Sequence, residues 1–238
     1  PAWRAAGGGG LNLGITAWHG WDLSKAWRAT VSGSVDRKLF DTDLRPDETE
    51  LGLRLDFSRK GRKSTLTFGP RFALLFQDGD KVRRQAGLGG RAIWRLGPRT
   101  ALTFSGEWLE QSFPGSPHRD GHKATGSLGL SWMLSPQTML TLGLPFEREK
   151  AQADHLSHRD LGLAVGLQTR LDGGLRLGLD LSVSGNRYDG PYPLFGVARK
   201  DEVSSLRLSI SHPRIGWRGV MPEFSITRKH QDSNIPLH

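Results

Sequence analysis

The stretch "DHLSH" brings Asp154, His155 and His158 together with Asp160 just beyond. These donor types suit a divalent metal or an acid/base pair. A His-x-x-His spacing on an irregular link is common by chance, and no third ligand is fixed in sequence, so solvated loop histidines are the plainer reading. The glycine runs "GLGGR" and "GGGG" lack the strand-to-helix context of a phosphate-binding loop. No serine sits in a nucleophile-elbow motif, so hydrolase chemistry has no anchor. The expectation is a protein that is not an enzyme, with no catalytic residue, no metal ligand set and no cofactor.

A different set of ionisable residues is more orderly. Arg54, Asp56, Arg71, Arg91, Arg95, Glu107, Glu147, Asp160, Arg170, Arg176, Asp180, Arg207 and Glu223 all alternate with apolar neighbours. "RLGLDLSVS" from Arg176 shows the pattern: Leu177, Leu179, Leu181 and Val183 on one parity, Arg176, Gly178, Asp180 and Ser182 on the other. So many charges in a dry core would each cost several kcal/mol of desolvation. A wet interior removes that cost. The charged residues are therefore expected to line a water-filled lumen, with cross-strand pairing as their simplest role.

Strands must carry this alternation. They are expected near 11–18, 27–37, 49–58, 64–77, 83–96, 100–111, 122–134, 138–149, 158–171, 174–186, 203–212 and 217–230, and no segment sustains a helical period. Many are ten to fourteen residues long, whereas globular strands usually run about five or six. A tilted membrane-crossing strand needs roughly nine to eleven. Short links such as "LGPRT" and "LSPQT" alternate with longer ones such as "QSFPGSPHRDG", "REKAQADHLS" and "RYDGPYPLFGVARKDE". "QDGDKV" is the shortest of the longer set, and "HPRIG" takes a short-turn place. That rhythm predicts an all-β, transmembrane, up-and-down antiparallel barrel with tight periplasmic turns and longer outer loops. Trp18, Trp27, Trp94, Trp108, Trp132 and Trp217 are expected as an aromatic girdle at the bilayer interface.

Composition agrees. The 238 residues hold 31 glycines, no cysteine and only 36% hydrophobic residues, with mean hydropathy −0.44. No apolar run is long enough for a membrane helix. The formal charge of +9 is spread over strands and turns, with no basic helical face, so no nucleic acid partner is expected. Outer-membrane lipids are the expected surroundings, and the cell outer membrane the expected location. Parity of the short and long links makes the first strand descend and the last climb, and a bacterial barrel closes with an even count. Twelve strands are therefore expected of fourteen, incomplete at both ends, in a single domain over 1–238 that is a fragment of a longer chain.

The C-terminal stretch "YDGPYPLFGVARKDEVSSLRLSISHPRIGWRGVMPEFSITRKHQDSNIP" resembles the end of the surface lipoprotein assembly modifier family of Gram-negative outer-membrane barrels. The matching elements are an aromatic-flanked loop, Arg199 and Asp201, a strand, Trp217, Gly219, Pro222 and the closing Ser233 and Asn234. "GPRFALLFQDGDKVRRQAG" and "LPFEREKAQADHLSHRDLGLAVGL" resemble the family as well. The resemblance implies a fourteen-stranded translocator for a passenger surface lipoprotein, or a related secreted haem- or iron-acquisition protein. It also implies a periplasmic helical-repeat domain and a last strand beyond this segment. Structural roles are the simpler reading for Gly219 and Pro222, as a bulge or edge, and for Arg199 and Asp201, as a fastening of the outer loop. A passive porin is the alternative. An enzyme at the His155 and His158 rim and a soluble β-rich binder are weaker competitors.

Overall fold

The computed structural model describes residues 10–40, 46–212, 215 and 223–235. Twelve strands form one sheet in chain order, every neighbour antiparallel. They are β1 (Gly10–Asp22), β2 (Trp27–Phe40), β3 (Glu48–Lys60), β4 (Ser64–Gln77), β5 (Asp80–Arg95) and β6 (Thr100–Ser112), followed by β7 (Gly121–Met133), β8 (Thr138–Ala151), β9 (His158–Arg170), β10 (Arg176–Pro191), β11 (Ala198–Ser211) and β12 (Glu223–Ser233). Among the described residues no ladder joins β1 to β12, so the sheet is open.

The ladders carry the sequence alternation from strand to strand. Phe146, Leu161 and Gly185 share one row; Leu142, Val165, Leu181 and Leu206 share another. Register is thereby fixed, since a one-residue slip would exchange the two faces. Among the described residues no second layer covers the apolar face: Ile15 is 75% exposed, Leu161 68% and Ile226 77%, whereas the buried apolar residues are Ala29, Phe113, Ala151 and Ile235. Two sheets interlocked over a dry centre would give the opposite pattern. The sheet is one layer, apolar on one side.

Several sequence expectations need correction. The 77–82 link is a tight hairpin turn, with Asp78 and Gly79 both at positive φ (50° and 93°), as a type I′ turn requires. The segment 187–202, expected as a long loop, is mostly strand: β10 runs on to Pro191 and β11 begins at Ala198, because Asn186, Arg187 and Lys200 still pair although their side chains are polar. Among the described residues β12 runs from Glu223 to Ser233, three residues past the expected end at 230. Trp217, Gly219 and Pro222 lie outside the described residues.

Trp18 is on the polar face, since it pairs with Ser32, which pairs with Arg54. A row of other tryptophans does sit on the apolar face. Trp21, Trp27, Trp94 and Trp132 are all within a residue or so of the short-turn ends of their strands. Trp27 packs edge-on against Phe68 with ring centroids 6.3 Å apart, and the Arg59 guanidinium lies 5.9 Å from its centroid. Trp108 lies toward the long-loop end instead, stacked on His122.

Candidate functional site

Ladder parity puts all thirteen alternating charged residues on the polar face. Two groups emerge from them. The first lies mid-sheet on β3 to β6, where Arg54, Asp56, Arg71, Arg91 and Glu107 line one hollow. Arg71 donates Nη2 to Asp56 Oδ1 at 2.6 Å and Nη1 to the Pro70 carbonyl at 3.1 Å. The Arg71 side chain lies over Gly89, where a Cβ would come 2.9 Å from its Nε, and at Gly69 a Cβ would come 1.8 Å from the Leu55 carbonyl oxygen, so only glycine allows the β3 and β4 backbones this approach. Arg54 faces Arg71 across the ladder. Asp56, paired with Arg71, thus offsets one of two like charges set opposite each other.

Elsewhere on this face the pairs are simpler. Arg207 donates to Glu223 at 2.7 Å, joining β11 to β12. Ser184 donates to Asp160 at 3.0 Å, joining β10 to β9. Asp180 lies beside Gly166 on the neighbouring strand. Arg170 and Arg176 face each other at the short-turn end, and Arg95 faces Ala101 there.

The second group is a polar chain crossing six strands at the long-loop end. Lys123 on β7 reaches Glu147 on β8 at 2.7 Å and Glu149 at 3.9 Å. Glu147 meets His158, the first residue of β9, at 3.3 Å. The His158 ring lies 5.1 Å from the Tyr188 ring on β10, and the Arg199 guanidinium on β11 lies 5.1 Å from that same ring. Arg199 donates Nε to both oxygens of Asp201 at 2.9 Å, and Gln231 on β12 donates to Asp201 Oδ2 at 3.2 Å. Asn234 then clamps the start of β11, accepting from Lys200 N at 2.7 Å and donating to the Ala198 carbonyl at 3.0 Å. Ser233 pairs with Asp201 in the last ladder.

Glu147, Arg199, Asp201, Ser233 and Asn234 were all legible in sequence as site residues. Lys123, Glu149, Tyr188 and Gln231 were not. Parity on β7 and β8 points Lys123 and Glu149 to the same side as Glu147. Tyr188 and Gln231 are hidden by taking 187–202 as loop and by ending the last strand at 230.

Glu147, Glu149 and His158 offer three ligand atoms within 4.8 Å of one another. Lys123 Nζ already stands among the carboxylates, so a protein cation holds the place a metal would need. His155 is apart from this group, against Tyr192. Among the described residues His155 joins no group of three potential ligands, so the Asp154, His155 and His158 cluster weighed from sequence is not assembled as one.

His158 lies beyond the apolar stripe of β9, which begins at Leu161. Its Nδ1 faces the Leu156 carbonyl and its Nε2 faces Glu147 Oε1, both at 3.3 Å. Only the imidazolium donates to both. The hydrogen bond to Glu147 raises the His158 pKa above its ordinary 6.5, outweighing partial burial. Because the folded pKa exceeds the unfolded one, this contribution is complete below about pH 6.5 and lost as pH rises through the folded value. His158→Gln is expected to destabilise the protein by about 1–2 kcal/mol at pH 6 and by progressively less in alkaline solution. Urea unfolding of both forms from pH 6 to 9 checks this; a gap that widens with pH would reverse the assignment.

Residues 4–238 match a family model described as surface lipoprotein assembly modifier. No curated protein matches the chain.

Proposed function

From the premise that this chain belongs to the surface lipoprotein assembly modifier family, we propose that it is an outer-membrane β-barrel segment that helps export lipoproteins to the cell surface. The observation that carries the reading is the uncovered apolar face. Leucines, valines and phenylalanines recur there at every second residue with no layer over them among the described residues, and tryptophans gather at one end. Hydrocarbon is the partner that makes such exposure favourable, at roughly 25 cal/mol per Å². Water on the polar face solvates the charged residues left without an ion partner. In this reading the short-turn end is periplasmic and the long-loop end faces outward.

Such a wall performs no bond chemistry. Its work is to admit and guide a passenger lipoprotein or a related secreted haem-acquisition protein. β1 and β12 each pair on one side only among the described residues, and free edge groups can hold an incoming strand. A passive porin has no support from the family membership.

Surface display in intact cells tests the role. With the full-length protein present, a co-produced lipoprotein should bind antibody on unbroken cells. Without it, the lipoprotein should stay at equal total abundance but hidden. A disulfide joining the first and last barrel strands of the full-length protein should also abolish display. Display that is independent of the protein would overturn the export role; undiminished display after locking would remove the seam.

A further inference from the structure

On the outward face, just past the apolar stripe at the long-loop end, four cations share one ladder row. Arg148 on β8 pairs with Arg159 on β9, Arg159 with Arg187 on β10, and Arg187 with Lys200 on β11. Neighbouring strands are about 4.8 Å apart, so the row spans roughly 14 Å. Like charges set directly opposite each other on a sheet are destabilising. Arg148 is relieved by Asp189, which accepts from both of its terminal nitrogens at 2.8 and 2.5 Å. Arg159, Arg187 and Lys200 make no ion pair within 4 Å among the described residues. Asp189 also feels the charge of Arg159, so it is shared between two of the four cations; in the next row on this face Glu202 and Asp232 stand opposite each other, with Asp232 3.1 Å from His230.

We propose that this row binds the phosphate groups of an anionic membrane lipid. The inference rests on the membrane reading above and adds the lipid chemistry to it. Guanidinium forks match phosphate oxygens in a bidentate geometry, and two exposed arginines stand side by side here. The same face continues without a break into hydrocarbon-seeking residues: Leu161, 68% exposed, follows Arg159, and Val183, 55% exposed, lies one turn of the pleat before Gly185 and Arg187. A ligand covering both regions needs an anionic head and apolar tails. A phosphorylated lipid has both; a soluble acidic protein has only the first. The short-turn end of this face is different in kind, with tryptophans and few charges on the strands. The two rims are thus suited to different leaflets.

The full-chain protein is reconstituted into phosphatidylcholine vesicles containing diphosphoryl lipid A, or the same lipid after phosphatase treatment. Lipid retained on the released protein is counted by native mass spectrometry. The phosphorylated form should be retained about tenfold more strongly, as loss of a charge-assisted hydrogen bond predicts. Arg159→Gln with Arg187→Gln should remove most of that preference, and Arg159→Lys with Arg187→Lys should keep most of it. Equal retention of the two lipids by the wild type overturns the inference whether or not the variants fold. So does an unchanged preference in the glutamine variant, or one that leaves lipid retention intact while abolishing capture of an acidic passenger. Flotation separates the two levels: protein that never enters vesicles sinks the membrane reading, whereas protein that enters without phosphate preference sinks only this one.

Discussion

Leu142→Arg combined with Leu181→Arg is expected to abolish assembly of the folded protein in bilayers, while Ser182→Arg leaves it nearly unchanged. Leu142 and Leu181 lie in the middle of the outward stripes of β8 and β10, joined through Val165, and are 40% and 47% exposed. An arginine on the lipid face near the bilayer midplane costs about 2–4 kcal/mol, and the two sites, with a strand between them, should add. Their sum is comparable with the whole stability of an ordinary domain, about 5–15 kcal/mol. Ser182 is the next residue along β10 and points the other way, opposite Ala164 and Ser205. An arginine there meets water and existing charges. Folding into vesicles, read from the gel mobility of unheated against heated samples, separates the outcomes. If Ser182→Arg were the harmful change and the leucine pair the tolerated one, the two faces would be exchanged and the export role would lose its basis.

The strands are legible in this sequence because alternation is a backbone-level signal: Leu177 to Val183 read as one face before any neighbour is known. The same signal gives the faces of the thirteen charged residues, since parity within a strand survives an error of two residues at its ends. It fails where side chains stop alternating but backbone pairing does not. β10 past Ser184 and β11 before Val203 have polar residues on both faces, yet their ladder continues to Arg187 and Lys200, because antiparallel hydrogen bonds do not depend on which side chain is apolar. Trp18 misleads for the opposite reason: residue type suggests a membrane-interface anchor, but its register with Ser32 puts it on the polar face. Contacts between strands distant in sequence are not encoded in any local pattern. The chain from Lys123 through His158 and Tyr188 to Asp201 needs four ladder registers at once, so sequence offers its members but not their order.

Asp201 should be the most sensitive single position on the polar face, and Asp201→Ala is expected to cost about 3–5 kcal/mol. Its side chain is 2% exposed and holds Arg199, itself 16% exposed, through Nε at 2.9 Å and Nη2 at 2.8 Å. Truncation would leave a guanidinium with Tyr188 on one side and no counter-ion, and would release Gln231 from β11 as well. Taking out both charges together should cost much less than taking out one. Arg199→Met with Asp201→Leu fills similar space, removes the desolvation cost of the ions, and should recover most of the loss. Urea unfolding in vesicles measures both. Hydrogen exchange locates the damage: amides of β12 should exchange faster in Asp201→Ala while those of β3 keep their protection, because the pair fastens one edge of the sheet rather than its middle. An Asp201→Ala protein within about 0.5 kcal/mol of wild type, or one whose β3 and β12 loosen together, would mean that the ladder alone anchors β12 and that the carboxylate serves something other than the edge.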